Sequence, residues 1–488
     1  MRKNNANFKK LVCLAVLMIV MTACRASETL KGPLDPDHPV TVTLWNYYNG
    51  AIKEQFDQLV LEFNDTVGME KGIVVDAFSQ GDVQQLADAV FDAANNKIGS
   101  RPLPHIFAAY PDNAYRIESL IGLVDMEEYF SKEELGEFRQ DFLQEGRFGE
   151  DHKLKIIPVA KATENLFLNK THWDAFALDT GADIKGLSTW EGIIKIAEDY
   201  YRWTDEKTIE PNDGQAFLGI DSLSNYILLA SVQLGEELYD FENETVVLKF
   251  DKEIARKVWD SLYVPYFKGY YAKVGRFASD DAKTGIVIGY IGSTAGAGYF
   301  PNEVTVSQMQ VYPIRCKVLP YPYFKEGERY AVQQGAGMCI TKSDEAHEYA
   351  AAEFLKWFIA KEQNIDFAAS TGYFPVKTEA LDEQLILAAQ DEAGRAVSNA
   401  AIIESIKSTV KMLDEYALYG NRPFEGSYDM RKFLETTVFD QVEKDLQTFE
   451  MRIEQGEDYE MLREEFISEK NFNKWYEQFL EETDRLLR

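Results

Sequence analysis

Along the first part of the chain, short apolar runs alternate with stretches of helical spacing. Val40-Thr41-Val42-Thr43-Leu44 alternates apolar and polar residues and is rich in β-branched side chains, which predicts a strand. From Ile52 the apolar positions Ile52, Phe56, Leu59, Val60 and Phe63 recur every three or four residues, the period of one helix face. Residues 72–78 predict a second strand, and Val83, Leu86 and Val90 predict a helix capped by Asp82. Residues 105–110 read as a third strand, with Asp112 as N-cap of the helix holding Ile117 and Leu120. This β-α rhythm predicts a parallel, doubly wound sheet. Such sheets bind ligands beyond the carboxyl ends of their strands. Those ends carry Trp45-Asn46-Tyr47-Tyr48, Gln80-Gly81 and Tyr110-Pro111-Asp112, three aromatic or polar clusters on one rim.

Farther on, residues 156–160 read as another apolar strand. After a polar break at 161–165 comes Leu166-Phe167-Leu168, the pattern of a strand entering a new domain. Helical spacing follows around 190–200, 222–234 and 253–263, then a glycine-rich stretch at 285–296. Ser343 reads as the cap of an amphipathic helix, and from Ala400 the chain is mostly helical. Phe449, Met451, Leu462, Phe466, Phe472, Trp475 and Phe479 punctuate the charged closing segment, which therefore reads as solvated helix and not as a tail.

The amino-terminal pattern sets the expected compartment. Arg2, Lys3, Lys9 and Lys10 precede an apolar run over residues 11–23. A membrane-spanning helix needs roughly 20 apolar residues and a signal-peptide core about 7–15. Val20-Met21-Thr22-Ala23-Cys24 resembles a bacterial lipobox, which implies removal of a signal peptide over 1–23 and acylation of Cys24. The alternative is an ordinary signal peptide with a chance cysteine at its boundary. Residues 24–38, with Pro33 and Pro36, read as a tether that holds the protein to a membrane by its lipid. The remaining body of about 450 residues exceeds what one core fills, so two domains are expected.

The net charge of −30 excludes nucleic acid, whose phosphates need a basic footprint. Cys316 and Cys339 leave two readings open, a disulfide or two buried thiols. Enzyme signatures are missing: the five histidines show no metal-binding spacing, and there is no P-loop, dinucleotide fingerprint or esterase elbow. With 81 acidic residues, a pair of carboxylates carries no weight as a glycosidase signal. No cofactor or metal is called for, and the chain is expected not to be an enzyme. What remains is recognition chemistry, in which carboxylates and amides grip hydroxyls and rings pack on apolar C–H faces.

Taken together, several stretches resemble the family 1 extracellular solute-binding proteins of ABC importers, the class that includes maltose- and glycerol-3-phosphate-binding proteins. They are Val42-Thr43-Leu44-Trp45-Asn46-Tyr47-Tyr48-Asn49-Gly50, Pro104-His105-Ile106-Phe107-Ala108-Ala109-Tyr110, Ile157-Pro158-Val159-Ala160-Lys161-Ala162-Thr163-Glu164, Gln334-Gly335-Ala336-Gly337-Met338 and Thr371-Gly372-Tyr373-Phe374-Pro375-Val376. The resemblance implies an α/β, two-lobe periplasmic-binding-protein fold of type 2, each lobe a doubly wound sheet flanked by helices, with a helical C-terminal region. Lobe 1 is expected over 39–160 and 335–378, lobe 2 over 161–334 and 379–488. By position it implies ligand contacts from Trp45, Tyr47, Tyr48, Gln80, Tyr110 and Asp112, facing Thr163, Glu164 and Tyr226. Gly292 and Ser293 stand where the family offers backbone N–H groups, with Tyr290 just before them. Gly335 and Gly337 either bring backbone close to solute or serve a tight strand crossing. Arg422, in the loop 421–428, stands where glycerol-phosphate binders place an anion-holding arginine. The implied function is a lipid-anchored, monomeric receptor delivering a carbohydrate to the permease subunits. A phosphorylated polyol is the second choice, and a surface glycosidase or ligand sensor the rival.

Overall fold

The computed structural model describes residues 33–149, 152–242, 245–307, 310–392 and 400–487; the signal segment, Cys24 and the tether up to residue 32 lie outside the described residues. The chain opens with β1 (Val40–Asn46), α1 (Gly50–Phe63), β2 (Ile73–Ser79), α2 (Val83–Ala94), β3 (Ile106–Ala109) and α3 (Pro111–Ile121), the expected order. Val40 lies opposite Ile73 and Leu44 opposite Ile106, so β1 pairs in parallel with both neighbours. Asp82 caps α2 in a reciprocal box with Gln85. The start of α3 differs from expectation. Tyr110 is its N-cap and Pro111 its first residue, because a proline's fixed φ and missing N–H suit that position. Asp112 therefore sits inside the first turn, where its carboxylate accepts the Asn113 N–H at 2.8 Å.

The chain then enters a second sheet through β4 (Glu164–Asn169), followed by α4 (Trp190–Asp205), β5 (Leu218–Ile220), α5 (Leu223–Gln233), β6 (Gly289–Ser293) and β7 (Cys316–Leu319). Its order is β7-β4-β6-β5, with β5 and β6 parallel and β4 antiparallel to both its neighbours. After β8 (Tyr330–Val332), β9 (Gly337–Ile340) returns to the first sheet and closes it as β9-β3-β1-β2, antiparallel to β3. Residues 156–160 do not form the expected strand. Ile157 alone bridges Met338, and Pro158, which lacks an N–H, ends the ladder there. α6 (Glu345–Phe358) is capped by Asp344 in place of Ser343, the Asp344 carboxylate accepting the His347 N–H at 3.1 Å. It is followed by α7 (Lys361–Thr371) and β10 (Ala417–Tyr419), which pairs with β8. Three helices close the described residues: α8 (Ser427–Glu454), α9 (Tyr459–Phe466) and α10 (Glu469–Leu486).

Two large cores follow the two sheets. One gathers Leu44, Phe56, Phe107, Met338, Phe354 and Phe367; the other gathers Leu166, Trp190, Phe217, Ile227 and Trp259. The C-terminal helices belong to the second core, to which they contribute Leu434, Val438, Phe449, Leu462, Phe466, Phe472, Trp475 and Phe479. Met451 is the exception and lies exposed on α8. Cys316 on β7 and Cys339 on β9 belong to different sheets, and both thiols are free.

Adjacent chain segments join the two halves. Ala162 pairs with Gln334 through bonds of 3.0 and 2.8 Å, and the Lys161 N–H donates to Phe374 O at 3.0 Å. Gly335, at φ +87°, is pressed so tightly into this crossing that a Cβ would lie 2.4 Å from Ala160 O.

Candidate functional site

β1 and β3 end on the same rim, and the residues just past them, Tyr47 and Tyr110-Pro111-Asp112, face the second half of the molecule. Opposite stand the start of α5 (Ser222, Ser224, Asn225), Phe277, and the first three turns of α8 (Tyr428, Arg431, Lys432, Glu435). Between these walls lies a cavity of about 400 Å³, with Gln84, Leu86, Asn113 and Gln334 also in its lining. That volume is within the range of small-molecule sites, roughly 300–1,000 Å³. A narrow recess continues past Tyr110, Asp112 and Arg431 to Glu145, Gln333 and Tyr419.

A chain of polar contacts stiffens the walls. Arg431 Nη2 donates to Asn225 Oδ1 at 2.8 Å, and Asn225 Nδ2 donates to Glu164 Oε1 at 2.7 Å. Gln334 Nε2 donates to the same oxygen at 2.7 Å, while Glu164 Oε2 is buried without a partner. Burial pushes the Glu164 carboxyl up to about 8, and only in part do the Asn225 bond and the Arg431 charge pull it back. Burial also raises Asp112, against the opposing pull of Arg431. Tyr47 Oη accepts the Ala336 N–H at 3.3 Å and hydrogen-bonds Tyr373 Oη at 3.2 Å, which fixes its ring on the wall.

Further contacts link the two halves of the molecule. The Arg116 guanidinium is held between the Phe91 ring at 4.0 Å and the Tyr428 ring at 4.1 Å. Tyr428 also meets Gln84, and Arg276 forms an ion pair with Asp82. Tyr299 Oη donates to Asn49 Oδ1 at 3.0 Å.

The residues singled out from sequence fall into three groups. Tyr47, Tyr110 and Asp112 line the cavity. Glu164 lies one layer behind it, bonded to the lining residues Asn225 and Gln334, and beside it the Thr163 N–H donates to Thr294 Oγ1 at 3.2 Å. The rest lie off the cavity wall. Trp45 and Tyr48 are buried in the first core, Tyr48 against Phe56 and Phe367. Gln80 is half-buried after β2, its N–H bonded to Asn46 O. Tyr226 is buried against Trp190 and donates to Ser261 Oγ, and Tyr290 stacks on Phe167. Gly292 and Ser293 end β6, where a Cβ on Gly292 would lie 2.6 Å from Asp221 Oδ2. Gly335 and Gly337 serve the strand crossing; a Cβ on Gly337 would meet the Ile157 carbonyl. Arg422 is exposed and lies over the Phe241 ring at 4.0 Å.

Asn225, Tyr428, Arg431 and Glu435 were not singled out. The signal for the last three was the spacing 428-431-432-435, one helical stripe of a ring and charges. Chemically the walls offer ring faces, a carboxylate, amides and a guanidinium around a space that a small polar molecule can fill. Among the described residues no helix is long and apolar enough to cross a membrane.

A family model for bacterial extracellular solute-binding proteins matches residues 58–393. No curated protein matches the chain. The cyclic α-maltosyl-1,6-maltose binding protein of Arthrobacter globiformis is similar in structure with a TM-score of 0.60 at 17% identity, covering 90% of this chain and 99% of that one. UgpB from Mycobacterium tuberculosis, in complex with glycerophosphocholine, has a TM-score of 0.61 at 17% identity over 85% of this chain and 99% of its own. The ABC substrate-binding protein Lmo0181 from Listeria monocytogenes, in complex with cycloalternan, has a TM-score of 0.61 at 14% identity over 89% and 98%. At such identities the likeness establishes the two-lobe α/β fold with its helical C-terminal region. The family match spans more than half of the sequence, and the chain belongs to the bacterial extracellular solute-binding proteins.

Proposed function

We propose that this chain is the receptor of an ABC importer, capturing a carbohydrate (a sugar or oligosaccharide) in the cavity between its lobes and delivering it to the permease subunits. The observation that carries this reading is the lining itself. Tyr47, Tyr110, Tyr428 and Phe277 offer ring faces, and Asp112, Asn113, Asn225 and Gln84 offer hydroxyl partners, around about 400 Å³. Arg431 and Lys432 on the α8 wall favour a second reading, glycerol-3-phosphate or another phosphorylated polyol. Thermal-shift screening with neutral sugars, oligosaccharides and glycerol-3-phosphate separates the two, since a ligand stabilises the state that binds it. Stabilisation by phosphorylated compounds alone would overturn the first reading.

Tyr110→Ala is expected to weaken binding of the stabilising sugar more than roughly tenfold, because a stacked ring contributes on the order of 1–2 kcal/mol. Titration calorimetry reads this, and unchanged affinity would remove Tyr110 from the site. The two cores support lobe 1 over 39–160 and 335–378 and lobe 2 over 161–334 and 379–488. A monomer tethered by lipid on Cys24 would keep the cleft near its permease at high effective concentration. An exported Cys24→Ala variant should then appear free in the medium; one still bound to the membrane would point to another anchor.

A further inference from the structure

One carboxylate on the cavity wall is engaged in an unusual way. Glu435, on the third turn of α8, reaches across to the start of α5 and accepts five hydrogen bonds. Its Oε1 takes the Leu223 N–H at 3.2 Å and the Lys273 ammonium at 3.3 Å. Its Oε2 takes the Ser224 N–H at 3.1 Å, Ser224 Oγ at 2.9 Å and Ser222 Oγ at 3.2 Å. Two backbone N–H groups at a helix start, two hydroxyls and an ammonium are the donors by which proteins hold phosphate or sulfate. Here the chain supplies the anion itself. The carboxylate is one-third exposed, and Glu435, Ser222 and Ser224 all line the cavity, so the cluster opens where a solute would lie.

We infer that Glu435 determines specificity: by filling this donor cluster with an internal carboxylate, it makes the cavity reject anionic solutes and accept neutral ones. The inference rests on the reading of this cavity as the solute site. A phosphate entering beside Glu435 meets a negative charge, and the donors of this cluster already bond the Glu435 carboxylate. The attraction of Arg431 and Lys432 is thus opposed within the same wall. Selection of this kind works by a repulsive element directed at the wrong ligand. The Glu435 charge reaches inward as well, since it helps to raise Glu164 and Asp221.

The test uses the mature chain, with Glu435→Ala and with Glu435→Gln, which keeps the side-chain shape but removes the charge. Inorganic phosphate and sulfate are titrated by calorimetry and thermal shift, with sodium chloride at matched ionic strength as control. Glu435→Ala should gain phosphate affinity at least about tenfold over wild type, and Glu435→Gln a smaller gain. Adding Ser224→Ala to Glu435→Ala should reduce that gain. Wild-type protein that binds phosphate as tightly as the variants would overturn the inference. So would folded variants that show no response to either anion. If loss of the bonds at α5 leaves Glu435→Ala unfolded, as circular dichroism would show, Glu435→Gln decides. Neutral sugars screened on the wild type test the carbohydrate reading separately: a phosphate gain in the variants without any sugar ligand would sink that reading alone.

Discussion

Lys161→Ala is expected to lower the unfolding free energy by about 3–5 kcal/mol, the cost of leaving a buried charge without its partner. Lys161 and Glu145 form an ion pair whose side chains are only 4% and 7% exposed. Lys161 Nζ also donates to Gly335 O at 3.3 Å, and Gln333 Nε2 donates to the Glu145 carboxylate at 2.7 Å. Lys161, Gln333 and Gly335 all belong to the segments that cross between the lobes, so the pair ties the crossing to the first core. Removing the ammonium strands the carboxylate in a place water does not reach, and that desolvation dominates the loss. A double variant, Lys161→Met with Glu145→Leu, should recover most of the stability, because an apolar pair of similar volume leaves no uncompensated charge. Urea denaturation reads both. A Lys161→Ala protein within about 1 kcal/mol of wild type would show that the pair is solvated in solution.

The elements that the hydrophobic pattern carries well are those governed by local rules. β1, α1, β2 and α2 follow from alternation, helical spacing and the Asp82 cap, each decided within a few residues. Strand direction is not decided locally. Three consecutive β-α units predict parallel pairing, yet β9 and β4 run antiparallel, and no residue in Gly337–Ile340 or Glu164–Asn169 encodes which way a buried strand points. The same limit applies to the site. The strand-end rule reaches Tyr47, Tyr110 and Asp112, because topology alone brings those ends together. It overreaches at Trp45, which a strand covered on both faces buries whichever side it takes, and at Tyr48, which turns past the strand end into the core against Phe56 and Phe367. Part of the opposite wall comes from α8, more than 300 residues later, and depends on the packing of the C-terminal helices. Arg422 and Arg431 are equally plausible by composition. One rests on Phe241 at the surface and the other on Asn225 in the cavity, a difference set by nine residues of helix start.

Glu164 is expected to make stability depend on pH between about 4.5 and 8. The fold holds its carboxyl up to about 8, above its ordinary value of 4.5, mainly because it is buried. Asp221 and Glu435 face it as like charges and add to the rise, while Arg431 and the Asn225 bond oppose it. The folded protein therefore keeps a proton that the unfolded chain releases in this range. The contribution is whole below pH 4.5 and is lost as pH rises to 8, and a shift of that size corresponds to roughly 4–5 kcal/mol. Glu164→Gln removes the titration yet preserves the oxygen that accepts from Asn225 and Gln334. The difference in unfolding free energy between wild type and Glu164→Gln should thus grow against the wild type from pH 5 to pH 8. Other carboxylates, such as Glu134 and Asp344, are held below their usual range and tilt the absolute curve the other way, so the comparison with Glu164→Gln is the decisive one. A pH-independent difference would mean that Glu164 is ionised in the fold, and its unpartnered Oε2 would then need a cation or water that these contacts do not supply.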